Sequence, residues 1–332
     1  MSKCIRVPKP DGEKVRNGLM ASGLLDLSAR IRSEGGFLLM PVLGDVDGFE
    51  TEEAEFEEAK RRITDYRECV QVPDELCSEL PASFDVIGDV AVVKVPDSLL
   101  PYKNEIGRAM ASASPGIRAV MRDAGVKGEF RIRDLEQIAG SGGSETTHRE
   151  FGLAIRVDPA KVYFNPRLAT ERRRVASLVK PGEVIIDMFA GVAPFGLVIC
   201  RHASPDVVYS IDLNPDAEPF ARLNMEANRI SRIAPMTGDA SEVVKGLPDA
   251  DRIIMNLPHT ADRFLPDALK KVRKGGTVHL HKMTERADIE SFAEGLRSSM
   301  GSLGLDMHIA EVLELKTYSP TAGVYVLDIV KD

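Results

Sequence analysis

Residues 184–196, Val-Ile-Ile-Asp-Met-Phe-Ala-Gly-Val-Ala-Pro-Phe-Gly, limit what this chain can fold into more than any other stretch. The run begins apolar and β-branched, which suits a strand buried on both faces. It then passes through an acid and a small-residue turn into a segment compatible with a helix. A strand that stops at Asp187 and turns at Gly191 leaves a crevice at its carboxyl end, where open α/β sheets bind ligands. Gly191 has no Cβ, so backbone and ligand can approach closely there. The spacing is not Gly-x-Gly-x-x-Gly, so a dinucleotide pyrophosphate is not the expected guest. An ordinary βα turn in another doubly wound protein is the competing reading.

The pattern around this stretch agrees with it. From about residue 165, strands at 184–188, 207–212, 233–237, 251–256 and 276–281 alternate with helices at 194–203, 216–229, 262–272 and 285–300. Such alternation implies βαβ units and a parallel sheet. Two closing runs, 306–316 and 324–330, leave no room for a helix between them and read as an antiparallel pair. The expected architecture is α/β. A Rossmann-like domain over 156–332 carries a mostly parallel, seven-stranded sheet whose last strand is antiparallel. Two smaller α+β domains, 1–62 and 63–155, precede it.

In the first of these, 15–27 has the spacing of a short amphipathic helix, and 37–42 reads as a strand after a Gly35-Gly36 turn. The acidic block 50–58, followed at once by Lys60-Arg61-Arg62, reads as a linker or exposed helix, with the first boundary near residue 62. In the second, 84–95 carries two β-like runs around Gly88. Residues 102–124 read as a helix interrupted near Ser114-Pro115-Gly116. Residues 129–138 and 145–157 read as strands joined by a glycine–serine loop at 141–144.

The net charge of −8 argues mildly against nucleic-acid binding, because phosphate contacts need Lys and Arg, but local patches decide the footprint. Lys14, Arg16, Arg30 and Arg32 either line one such surface or are scattered solvated charge. No apolar run is long enough to cross a bilayer and no signal-peptide pattern opens the chain, so a cytoplasmic protein is expected. Cys4, Cys69, Cys77 and Cys200 are scattered, which supports neither a disulfide framework nor a structural zinc. His279 and His281 alternate on one strand, where polar strand positions are a better reading than metal ligands, and no metal is expected.

Two further acids close strands. Asp212, in Ser210-Ile211-Asp212-Leu213-Asn214, lies 25 residues after Asp187, where an acid can bond ribose hydroxyls. Asp239, in Thr237-Gly238-Asp239-Ala240, can accept from an adenine amino group. Each acid taken singly also reads as a helix N-cap. Phe189 either touches the ligand or fills the core, and Phe195 reads as core. The stretch from Asp187 is similar to the first motif of S-adenosylmethionine-dependent methyltransferases. That likeness implies cofactor contacts from Asp187, Phe189, Ala190, Gly191, Val192, Pro194, Asp212, Leu213, Asp239, Ala240 and Asn256.

The fourth strand ends Met255-Asn256-Leu257-Pro258. An Asn amide offers donor and acceptor on one plane, which suits a nucleobase edge, and Pro258 fixes the backbone beside it. A plain β-turn is the alternative. Upstream lies Tyr163-Phe164-Asn165-Pro166-Arg167-Leu168-Ala169-Thr170-Glu171-Arg172-Arg173-Arg174. These two segments and the stretch from Asp187 together resemble the archaeal and eukaryotic tRNA (guanine-N1)-methyltransferase family, which modifies the guanine 3′ of the anticodon. The stretch from Val7-Pro8 to Leu24-Leu25-Asp26 is similar to the family's small tRNA-elbow-recognising domain, and 83–89 to the start of its middle domain.

The resemblance implies a class I methyltransferase domain, S-adenosylmethionine as cofactor, and tRNA held by its anticodon loop and elbow. It also implies a monomer. By this carry-over Glu171 is the general base, Arg131 stabilises guanine O6, and Asn256 and Pro258 hold the base. Tyr163, Pro166, Arg167, Arg172, Arg173 and Arg174 meet the substrate, the arginines on anticodon-stem phosphates. Read without the family, Glu171 is a solvated helix-start acid among arginines. Ala193 and Asn165 stand where the family usually has Gly and Ser. The rival readings are a wyosine-pathway enzyme at the same tRNA position, by aminocarboxypropyl transfer or methylation of a tricyclic intermediate, and a non-catalytic RNA-binding protein with a vestigial cofactor fold.

Overall fold

The computed structural model describes residues 2–58, 65–128, 130 and 132–332. These residues form two compact units, Met1–Cys69 and Val70–Asp332.

In the first unit, β1 (Ser2–Pro8), α1 (Gly12–Ala21), β2 (Arg32–Glu34), β3 (Phe37–Pro41) and β4 (Thr51–Ala54) follow in order. The strands make an antiparallel sheet in the order β2-β3-β1-β4. Ile5, Val7, Leu19, Met40 and Val42 form its core. The expected helix over 15–27 is displaced toward the amino end, because Gly23 stops it. Gly23 sits at φ +69°, and the Gly23 and Leu24 amides donate back to Met20 O (3.2 Å) and Leu19 O (2.9 Å). That pattern closes a helix end and needs a left-handed residue. The acidic block is corrected as well. It contributes the edge strand β4, whose charged, exposed face suits an unpaired sheet edge. The expected boundary at residue 62 falls outside the described residues.

The second unit opens with β5 (Asp85–Ile87), β6 (Val90–Val93), α2 (Lys103–Ala113), β7 (Ala119–Lys127) and β8 (Ile132–Gly140). These strands form a sheet in the order β5-β6-β7-β8, with β6 and β7 parallel. The helix expected over 102–124 ends at Ala113. Ala119, Val120 and Met121 are consecutive and all buried, and they lie in β7, which is covered on both faces there. The strand expected over 145–157 is two strands, β9 (Thr146–Glu150) and β10 (Leu153–Val157). Phe151 (φ 47°) and Gly152 (φ 76°) make the reversal between them. Positive φ at both central residues matches the twist of a two-residue hairpin.

The remaining elements are α3 (Ala169–Leu178), β11 (Val184–Asp187), α4 (Pro194–His202), β12 (Val207–Asp212), α5 (Ala217–Asn228), β13 (Ile233–Thr237), α6 (Ala240–Val243), β14 (Ala250–Met255), α7 (Leu265–Lys271), β15 (Val272–Glu285), α8 (Ile289–Ser302), β16 (Met307–Thr317) and β17 (Ala322–Lys331). The seven strands are ordered β13-β12-β11-β14-β15-β17-β16. Strands β11 to β15 pair in parallel, whereas β17 runs antiparallel to both of its neighbours. This is the expected Rossmann-like sheet, with the reversed strand inserted one place in from the edge. Its strand order reverses beside β11, between β12 and β14, so the ligand crevice lies at the end of β11.

Each face of the sheet carries its own core. One includes Val198, Ile199, Phe220 and Ala221 from α4 and α5, and extends through Leu153 and Ile155 to Ile87 and Val90 of the small sheet. The other includes Leu265 and Leu269 of α7 and Leu296 and Met300 of α8. Among the described residues no helix is long and apolar enough to cross a membrane.

Candidate active site

The crevice is built from the turn after β11. Asp187 ends that strand fully buried, and neither of its carboxylate oxygens finds a hydrogen-bond partner of normal geometry. Burial pushes its carboxyl up to about 8, the Phe189 backbone amide opposes this, and the Asp212 charge adds to it. A buried acceptor left without partners fits a site shaped for a ligand. Gly191 follows at φ 52°, and a Cβ there would meet Tyr163 O at 3.1 Å. The segment that carries Tyr163 therefore lies against the cofactor turn. Ala193 also adopts a left-handed backbone (φ 61°) and is fully buried, so the methyl that replaces the family's hydrogen points into the core. Pro194 opens α4, where a missing N–H loses nothing.

Asp212 ends β12 and accepts from the Gly191 amide at 2.6 Å and the Asn214 amide at 2.9 Å. Leu213 beside it is exposed. Asp239 accepts from Ser241 N at 2.8 Å, the N-cap that was its alternative reading, and leads into buried Ala240. Phe189 packs edge-on against Phe264, with ring centroids 5.1 Å apart. Ala190 donates its amide to Ile211 O at 2.8 Å. The Val192 side chain is in the core, so any ligand contact there comes from its backbone. Phe195 is core, as expected. Three acids at adjacent strand ends, an orphaned buried carboxylate and an exposed leucine suit S-adenosylmethionine, with its ribose, adenine and charged amino-acid tail.

Asn256 and Pro258 follow β14 directly. The Pro258 carbonyl accepts from Met283 N at 2.9 Å, which pins this turn to β15. Among the described residues the Asn256 amide makes no hydrogen bond and remains available for a base edge. Parallel register sets Met255 beside Leu280. That is the last pair of the register; Asn256 follows Met255, and His281 follows Leu280. The His281 ring is fully buried, neither nitrogen has a hydrogen-bond partner, and its Nε2 lies 3.6 Å from Glu171 Oε1. Glu171, expected on sequence alone to be a solvated acid, is 3 % exposed. Arg174 grips it with Nε to Oε2 at 2.7 Å and Nη2 to Oε1 at 2.9 Å. Burial pushes the Glu171 carboxyl up, but Arg174 and His281 outweigh it and the net shift is downward. Glu171 is thus ionised near neutral pH.

Of the arginines expected on phosphates, Arg173 is exposed, with its guanidinium 5.8 Å from the Phe151 ring centre. Arg167 is exposed as well and pairs with Asp85 at 2.6 Å. Arg172 is corrected. It is 1 % exposed and its guanidinium is taken by Glu150, with one contact at 2.7 Å, so no phosphate reaches it. Arg174 is corrected too, since it bridges Glu171 and Asp328 rather than facing solvent. Asn165 replaces the usual Ser without loss, because its side chain accepts from Arg167 N at 3.0 Å. Pro166 opens the short turn so capped, and Tyr163 is exposed beside it. Arg131, expected at guanine O6, lies outside the described residues. A groove of about 880 Å³, lined in part by Arg118, Arg149 and Arg156, shares no residue with this site.

Sequence reasoning missed His281 as a neighbour of Glu171 and Asp328 as the second partner of Arg174. The available signal was Asp328 itself, an acid inside the apolar run Val324-Tyr325-Val326-Leu327-Asp328-Ile329-Val330. A buried acid needs a partner.

Comparison with known proteins agrees with the geometry. Residues 146–299 match the model of the TRM5/TYW2 methyltransferase domain. Residues 66–143 match the TYW2 N-terminal domain, and 4–50 the tRNA methyltransferase 5 N-terminal domain. The tRNA (guanine(37)-N(1))-methyltransferase Trm5b of Pyrococcus abyssi is 41 % identical over 96 % of this chain and 96 % of its own. The crystal structure of wild-type Trm5b from Pyrococcus abyssi superposes with a TM-score of 0.80 over 100 % of both chains at 39 % identity. The structure described as the complex of aTrm5 and tRNALeu superposes with a TM-score of 0.76 at 30 % identity over 99 % of both chains.

Proposed function

This chain belongs to the TRM5/TYW2 methyltransferase family as a tRNA (guanine-N1)-methyltransferase acting at position 37, and from that premise we propose how its own residues carry the reaction. The cofactor is S-adenosylmethionine, which supplies an electrophilic methyl group. Asp187, Gly191, Asp212, Leu213 and Asp239 would hold it at the ends of β11, β12 and β13.

Guanine N1 carries a proton and is a poor nucleophile while it does. The Glu171 carboxylate takes that proton, the electron pair stays on N1, and the freed pair faces the methyl group. Charge that develops at O6 needs a fixed cation, a role we assign to Arg131. Asn256 orients the base through its planar amide, with Pro258 holding the turn. The target guanine is splayed out of its loop to enter. Tyr163 lies at the mouth of the site, and exposed Arg173 and Arg167 meet anticodon-stem phosphates. One observation carries this reading: Glu171 is buried 3.6 Å from His281 of β15, the strand whose register with β14 ends at Met255↔Leu280, one residue before Asn256. In this reading the free Asn256 amide and the ionised Glu171 carboxylate meet the same base.

In the same reading the chain works as three segments, 1–62 on the tRNA elbow, 63–155 as a middle domain and 156–332 as the catalytic domain. We further propose that it acts as a cytoplasmic monomer. The match of residues 4–50 to the tRNA methyltransferase 5 N-terminal domain favours N1 methylation over aminocarboxypropyl transfer. The test is single-turnover methylation of an unmodified tRNA transcript with guanine or another base at position 37, followed by nucleoside mass spectrometry. Glu171→Gln is expected to lose at least ~100-fold in rate while cofactor affinity stays within about twofold. Wild-type rate in that variant would remove Glu171 from the mechanism.

A further inference from the structure

His279, His281 and Asp328 have no assigned task in this chemistry, yet His281 lies 3.6 Å from Glu171, Asp328 shares Arg174 with it, and His279 stands behind Asp328. Arg174 donates from Nη1 to Asp328 Oδ2 at 2.8 Å and from Nη2 to Asp328 Oδ1 at 3.2 Å, while its Nε and Nη2 hold Glu171. One guanidinium therefore joins two carboxylates, one on α3 and one on β17. Behind Asp328, His279 Nδ1 lies 2.6 Å from Oδ1, and Arg252 Nη1 lies 2.7 Å from His279 Nε2. A guanidinium can only donate. His279 Nε2 must accept, so the imidazole is neutral and its proton sits on Nδ1, donating to Asp328. Arg252 is anchored in turn by Glu183 (3.0 Å) and Leu178 O (2.9 Å). Asp328 is thus fixed from behind and presents its charge to Arg174.

We propose that Asp328 is a positioning residue for the proton transfer: by sharing Arg174, it keeps that cation compensated when Glu171 becomes neutral. The inference rests on the reading of Glu171 as the base. Before transfer the three side chains carry one net negative charge. After transfer Glu171 is neutral, and Arg174 and Asp328 remain as a closed pair. Without Asp328 the same transfer would leave a largely buried guanidinium with only the half-exposed Glu311 beside it, which is unfavourable. Asp328 therefore makes Glu171 the stronger base, and Arg174 alone would make it weaker. The other groups that face the pair are His281 from β15, 3.6 Å from Glu171, and Glu311 from β16, 3.9 Å from Arg174 Nη1 and half exposed. Arg172 on the same helix points away, onto Glu150.

The test uses the full chain, single-turnover methylation of a tRNA transcript across pH, and calorimetric cofactor binding. Asp328→Asn is expected to lower the rate constant at saturating tRNA roughly 10- to 100-fold, with the KM for tRNA and the Kd for cofactor unchanged. Asp328→Glu restores most of the loss. Arg174→Lys and Arg174→Met, which relax the grip on Glu171, are expected to move the acid limb of the rate profile upward by about one pH unit. Arg174→Lys keeps a cation in place should Arg174→Met or Asp328→Asn not fold. Four results would overturn the proposal: a wild-type rate in Asp328→Asn, a rate loss matched by an equal loss of cofactor affinity, no rescue by Asp328→Glu, or an acid limb that stays put or falls in the Arg174 variants. If Glu171→Gln is inactive under those results, only the role of Asp328 fails. If Glu171→Gln is fully active, the assignment of the base fails with it.

Discussion

The Gly191 amide donates to the Asp212 carboxylate across 2.6 Å, so the turns after β11 and β12 are tied by protein atoms alone. Asn214 supplies the second donor at 2.9 Å and is itself held, its Nδ2 donating to Lys161 O at 2.7 Å. Asp212 thus shapes the turn, and the proposed ribose contact would use its remaining lone pairs. Asp212→Ala is expected to weaken cofactor binding by at least ~10-fold, about 1.4 kcal/mol, and to lower the melting temperature of the free protein. Calorimetry and thermal unfolding measure the two effects. An unchanged dissociation constant would remove Asp212 from the cofactor site.

Asp187 gives the free protein a pH dependence of definite sign. Its carboxyl is raised to about 8 by burial, so the folded state keeps a proton that the unfolded chain loses near 3.8. The folded state therefore binds more protons between those values, and this group's contribution to stability falls as pH rises through the window. Asp187→Asn cannot ionise. Relative to the native chain it should be about equal in stability at pH 4 and more stable at pH 8, by on the order of a few kcal/mol at most. Thermal unfolding of both proteins across that range tests this. A gap that does not widen toward pH 8 would show that Asp187 is ionised in the free protein.

Most of the methyltransferase sheet was legible because its signals are local. Val184–Asp187 and Val207–Asp212 are short buried runs that end at an acid, and they are strands within a residue of the expected bounds. The residues around Glu171 were not legible, because their meaning is set by register. Whether Glu171 faces water or the core depends on how α3 sits over β15 and β17, which no local pattern encodes. The three consecutive arginines show this most plainly. One helix turn sends Arg172 to Glu150, Arg173 to solvent and Arg174 to Asp328, so identical neighbours have three unrelated tasks. The run at 119–124 failed differently, since a short apolar stretch carries no length or periodicity that separates helix from strand.

That divergence predicts opposite phenotypes for adjacent residues. Arg172 fastens the β9–β10 hairpin to α3, holding Glu150 and donating to Asn165 O at 3.1 Å. Arg172→Met leaves the Glu150 carboxylate buried without its cation and should destabilise the fold by about 3–5 kcal/mol. Arg173→Glu should leave stability within ~0.5 kcal/mol but weaken tRNA binding, with the salt slope reduced by about 1. Chemical denaturation and tRNA binding at several salt concentrations separate the two. If Arg173→Glu has the native salt slope, Arg173 does not contact phosphate.

Two asparagines on α5 do for β10 what a neighbouring strand would. Asn224 accepts from Arg156 N at 2.6 Å and donates to Arg156 O at 3.0 Å. One helical turn later, Asn228 accepts from Ala154 N at 2.9 Å and donates to Ala154 O at 2.7 Å. Residues 154 and 156 point their backbone groups the same way, and positions 224 and 228 share one helix face, so the two periods match over this span. Because each side chain satisfies a donor and an acceptor of β10, Asn→Ala at either position leaves two backbone groups of that strand unpaired and should cost about 2–4 kcal/mol. Asn→Asp should be nearly as harmful, since a carboxylate cannot donate to the carbonyl. Hydrogen exchange at Ala154 and Arg156 gives the specific readout: their amide protection should fall in the Asn228 and Asn224 variants respectively. Retained protection at both amides would mean that the hairpin is held by its apolar contacts alone.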